Sequence, residues 1–96
     1  MVIIGQLHLE LHLPAAQSLK QKRSVIKSLK DRLRNKYNVS VAEVDYLDKW
    51  QRAKLAIVMV SSDRGPLESG FQSISAFIEN EIMGYAFVTA SELVLL

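Results

Sequence analysis

From Ile3 to Leu13 the chain alternates almost without fault. Ile3, Leu7, Leu9, Leu11 and Leu13 fall on one side, with Gly5 in the same series, while Gln6, His8, Glu10 and His12 fall on the other. A period of two places successive side chains on opposite faces of a strand and implies that one face is buried. Leucine is a modest strand former, but a pattern this long outweighs propensity. Pro14 ends the strand, because it has no N–H to give to a ladder. Whatever this chain folds into must therefore supply an apolar layer against one side of this strand.

Two helical faces provide that layer. Ser18 reads as an N-cap, with Gln21 three residues on as in a capping box. Leu19, Ile26, Leu29 and Leu33, with Val25 beside them, recur at helical spacing and predict a helix to about residue 36. Asn38 suits a left-handed cap after it. Asp63-Arg64-Gly65-Pro66 starts a second helix, with Leu67, Phe71, Ile74 and Ile78 on its apolar face, Phe77 adjacent and Gly84 near its end. Val39–Val44 reads as a strand whose two possible faces conflict, which points to a bulge. Asp45–Arg52 reads as a hairpin loop, Lys54–Val60 as a third strand and Tyr85–Leu96 as a fourth.

The order is β-α-β-β-α-β. This predicts an α+β, ferredoxin-like sandwich: a four-stranded antiparallel sheet with two helices on one face. Ninety-six residues, 49% of them hydrophobic, suit one such domain over residues 1–96. The third strand is apolar on both faces, which fits a central position. Helices cover one sheet face only, so one of the sets Leu55/Ile57/Met59 or Ala56/Val58/Val60 faces out. An exposed apolar patch of that kind predicts a homodimer through the open sheet face.

Several function classes drop out. The chain has no cysteine, which removes a thiol nucleophile, an iron–sulfur cluster and Cys-type zinc. No Walker loop or dinucleotide fingerprint is present. His8 and His12 lie about 13 Å apart along a strand and cannot share one zinc ion. Ser61, Ser62 and Asp63 sit where capping explains them. No catalytic residue, metal site or cofactor is expected. The apolar start at Met1-Val2-Ile3-Ile4 lacks a charged flank and a long apolar core, so it does not read as a signal peptide. The longest apolar run, Leu55–Val60, is far short of the roughly 20 residues of a membrane span. A cytoplasmic location with no membrane association is the expectation.

The net charge of +2 conceals an asymmetry. Lys20, Lys22, Arg23, Lys27, Lys30, Arg32, Arg34 and Lys36 stand against one acid, Asp31, so residues 20–36 carry +7 and the rest of the chain −5. On a helical wheel Lys20, Arg23, Lys27, Lys30 and Arg34 fall within roughly 80° of one another. They form a stripe about 21 Å long. Lys22 points nearer the apolar side, where its stem can snorkel. Cations in the first turns oppose the helix dipole, at about 0.3–1 kcal/mol each at low salt, whereas a bound anion relieves them. The stripe admits three readings: a solvated face, pairing with Glu68, Glu79 and Glu81 of the second helix, or contact with a polyanion. The third assigns Lys20, Lys22, Arg23, Lys27, Lys30 and Arg34 to nucleic acid, with Arg52 as a secondary contact. Trp50 is expected to fold back onto the core edge, the alternative being a stacking contact to a base or a partner.

Several strings carry a family resemblance. They are Glu10-Leu11-His12, Ser18-Leu19-Lys20 with Lys22-Arg23, Lys27-Ser28-Leu29-Lys30, Arg32-Leu33-Arg34-Asn35, Asn38-Val39-Ser40-Val41-Ala42-Glu43 and Trp50-Gln51-Arg52-Ala53. Together they resemble the YlxP-like family, small bacterial proteins of unknown function. The similarity is strong through residue 64 and weaker beyond. The resemblance implies a ferredoxin-like fold, a bacterial cytosolic source and no catalytic motif. It also implies gene neighbourhoods shared with translation-initiation and ribosome-maturation factors. The expected function is thus a non-catalytic RNA- or ribosome-associated accessory factor. The alternative is a dimeric, small-molecule-responsive regulatory module of ACT-like type.

Overall fold

The computed structural model describes residues 1–96. Its elements run β1 (Ile3–His12), α1 (Leu19–Lys36), β2 (Ser40–Asp45), β3 (Arg52–Ser61), α2 (Arg64–Ile82) and β4 (Phe87–Leu95). The sheet order is β2-β3-β1-β4, antiparallel throughout, so β1 and β3 are central as their patterns predict. Both helices pack on one face. The fold is the ferredoxin-like α+β sandwich expected from the element order.

One hydrophobic cluster of 18 buried residues fills the space between sheet and helices. Leu7, Leu9 and Leu11 of β1, with Leu13 just beyond, face Ala53, Leu55 and Ile57 of β3 on the inner side of the sheet. Ile26, Leu29 and Leu33 of α1, and Leu67, Phe71, Ile74 and Ile78 of α2, close over them. Each fully buried Leu, Ile or Phe contributes about 1.5–3 kcal/mol relative to exposure. Gly5 is required where α2 comes closest to β1: a Cβ there would lie 2.5 Å from Phe71 Cε2.

Local signals succeed at most ends. Ser18 Oγ accepts the N–H of Gln21, as an N-cap should. Gln21 Oε1 returns to the N–H of Gln17, one residue before the position a capping box uses. The left-handed cap expected at Asn38 does not form. Tyr37 ends α1 with extended backbone while its N–H still reaches Leu33 O, so the chain enters β2 directly. Gly84, at φ 92, turns the chain after α2 where a side chain would be strained. The bulge anticipated in β2 lies between Glu43 and Asp45, with Val44 as the extra residue. A second bulge leaves Thr89 of β4 unpaired.

The outward side of β3 is also settled. Leu55 and Ile57 are buried beneath the helices and Met59 packs against the core, so these three are withdrawn as interface residues. Ala56, Val58 and Val60 face out, because alternation from the buried Ala53 leaves no other register.

Candidate nucleic-acid interface

Helix α1 lies over the edge strand β2, and its two flanks have different fates. On the flank toward α2, Arg32 pairs with Glu81, and Lys36 sits 4.7 Å from the Phe77 ring centroid. These cations join the helices. The opposite flank carries Lys20, Arg23, Lys27, Lys30 and Arg34 and looks outward beside β2. All but the half-buried Lys30 are exposed.

One acid serves this stripe. Asp31 accepts Lys27 Nζ at 2.9 Å and lies 3.6 Å from Arg34. The Lys27 hydrogen bond is the main cause that holds its carboxyl below the usual range, with the Lys27, Arg34 and Lys30 charges adding to it. Arg34 also donates to the Val41 carbonyl of β2 at 3.0 Å. Lys20, Arg23 and Lys30 make no ion pair. Of the acids on α2, only Glu81 reaches α1, and it does so on the other flank. The stripe is therefore not neutralised from within the chain.

Lys22 leaves the phosphate-contacting set. Its side chain is fully buried, with Nζ donating to Glu43 Oε2 at 2.7 Å, Tyr46 O at 2.8 Å and Arg52 O at 3.2 Å. Three acceptors match the three protons of an ammonium. A helical wheel shows Lys22 near the apolar side. What it cannot show is a carboxylate and two carbonyls brought to that point from 21 to 30 residues away. The residue is a pin between α1 and the β2–β3 hairpin.

Arg52 is also separated from the stripe. It stands on the outer side of β3, opposite His12, with its guanidinium 3.9 Å over the Tyr46 ring. Tyr46 in turn donates to Glu10 at 2.9 Å, which raises its phenol above the ordinary value of 10. Trp50 does not fold back. It is 54% exposed, because Gln51, not Trp50, ties the hairpin to the body of the protein. The Gln51 amide donates to Pro14 O and Ala16 O, and its carbonyl accepts the Leu13 N–H.

His8 hydrogen-bonds Gln6, and His12 Nδ1 lies 3.1 Å from Gln51 O. No three His, Asp or Glu side chains converge as a metal site would require. No helix is long and apolar enough to cross a membrane.

Sheet order, helix placement and register define a ferredoxin-like α+β sandwich whose outer helix presents a basic flank. Comparison with known proteins takes this further. The chain belongs to the family described as "Protein of unknown function (DUF503)", whose model matches residues 4–91. The uncharacterized protein YlxP of Bacillus subtilis (strain 168) is 42% identical over 78 residues, covering 81% of this chain and 85% of that protein. Among solved structures, the de novo designed protein Foldit4 matches with a TM-score of 0.53 at 13% identity, over 100% of this chain and 94% of the design. SnoaB, a cofactor-independent oxygenase from Streptomyces nogalater, matches with a TM-score of 0.54 at 11% identity, over 100% and 92% of the two chains. At those identities the structural matches establish the fold alone.

Proposed function

We propose that this protein is a non-catalytic RNA- or ribosome-associated accessory factor that binds phosphates along α1. The observation that carries this reading is the outward flank of Lys20, Arg23, Lys27, Lys30 and Arg34 with Asp31 as its only acid. Stability alone does not account for cations in the first turns of α1, where the dipole disfavours them. Contacts of this kind position a backbone without reading sequence. Meeting about four phosphates of a single strand gives a slope near −3 in log K against log salt. The test is RNA affinity in the double variant Lys27→Glu with Lys30→Glu. Weakening across unrelated sequences supports the reading, and unchanged affinity removes it.

The outer sheet face supports a second element of the proposal, a homodimer. Ile4 and Val60 are exposed cross-strand partners, with Val58 and Ala56 continuing the outward side of β3. Helices cover only the other face, so a second copy is the self-complementary cover. A monomer by light scattering at high micromolar concentration would exclude it.

A further inference from the structure

The β2–β3 hairpin carries a feature that the basic stripe does not explain. Trp50 is the chain's one tryptophan and is more than half exposed. It lines a cavity of about 450 Å³ with His12, Asp48, Lys49, Gln51 and Arg52. An exposed indole presents a broad apolar face and a polar N–H to whatever binds beside it.

The loop is built to hold that position. Tyr46 adopts the left-handed conformation at φ 60, and Lys49 N–H closes a turn onto Tyr46 O at 2.9 Å. The same carbonyl receives Lys22 Nζ, and the Tyr46 hydroxyl is tied to Glu10. Gln51 fixes the far side of the loop through Pro14 O and Ala16 O. Tyr46, Lys49 and Gln51 around the indole are thus anchored, while the indole itself makes no hydrogen bond within the chain. Lys49 and Arg52 flank it as exposed cations, against the single acid Asp48.

We infer that Trp50 is a stacking platform for an unpaired nucleobase, with Lys49 and Arg52 meeting the adjoining phosphates. An exposed aromatic face between cations is the chemistry that holds single strands without sequence preference. This inference rests on the RNA reading and extends it to a second element. Lys22 joins the two surfaces: it is rooted in the turn of α1 that bears Lys20 and Arg23, and it ends on the carbonyls of Tyr46 and Arg52.

Because Trp50 is the only tryptophan, its emission reports this site alone. The full chain is titrated with a single-stranded RNA dodecamer, the same sequence as a duplex, heparin and polyglutamate. RNA binding is measured separately by anisotropy of labelled dodecamer. The single strand quenches Trp50 emission, while the duplex, heparin and polyglutamate do not. Trp50→Ala weakens the dodecamer about 5- to 150-fold, the range of one base–aromatic stack, and Trp50→Phe recovers part of it. If the dodecamer binds and Lys27→Glu with Lys30→Glu weakens it, but Trp50 emission and Trp50→Ala affinity are unchanged, the stacking site is overturned and the stripe stands. Equal quenching by polyglutamate overturns it in favour of an acidic polypeptide. Absence of any RNA binding overturns both readings.

Discussion

Replacing Lys22 with methionine separates its structural role from the charge of its neighbours. The substitution keeps most of the stem volume and removes the ammonium. It leaves the Glu43 carboxylate, only 10% exposed, and the carbonyls of Tyr46 and Arg52 without their shared donor. Removing one member of a buried ion pair costs about 3–5 kcal/mol, because the remaining charge stays desolvated. Water reaching the slightly exposed Glu43 places the loss toward the lower end. At about 4–8 °C per kcal/mol for a domain of this size, 3 kcal/mol lowers Tm by roughly 12–24 °C. Urea unfolding followed by far-ultraviolet circular dichroism reads the change as a lower midpoint at constant slope. The double variant Lys22→Met with Glu43→Leu should recover most of the loss, since an apolar pair of similar volume is often neutral. A loss below about 1 kcal/mol, or no recovery in the double variant, would refute the account of Lys22 as a pin.

Two further outcomes follow from the packing and the outer face. Gly5→Ala drives a methyl into Phe71 and should cost about 1–3 kcal/mol in urea unfolding, with Phe71→Leu in the same chain relieving part of it. The Tyr46 phenol should titrate above 10 when followed by ultraviolet absorbance, and Glu10→Gln should bring it down. The folded value is raised, so the Tyr46–Glu10 contribution to stability is complete below pH 10 and is lost as pH rises through the folded value.

The fold was legible because its signals are periodic and mutually consistent. The alternation of β1, the spacing of Ile26, Leu29 and Leu33, and the apolar run of β3 each point to the same two-layer arrangement. The outward stripe of α1 was legible for the same reason, since helix geometry alone puts Lys20, Arg23, Lys27, Lys30 and Arg34 on one side. What escaped depends on contacts between distant segments. The burial of Lys22 is decided by Glu43 and two carbonyls of the hairpin, and the exposure of Trp50 by the anchoring of Gln51 beneath Pro14 and Ala16. Arg52 falls on the far side of the sheet from the stripe because strand alternation sends it opposite to Ala53, and there it lines one surface with Trp50. The choice between Leu55/Ile57/Met59 and Ala56/Val58/Val60 needed the helices in place. No spacing rule separates two equally apolar faces.

The central claim is that α1 binds RNA through its outward cations. The most direct measurement is the salt dependence of single-stranded RNA affinity for the parent and for Lys27→Glu with Lys30→Glu. The parent should give a slope near −3 in log K against log salt, and the variant a shallower slope with weaker binding at every salt concentration. Parent and variant lines that coincide would contradict it.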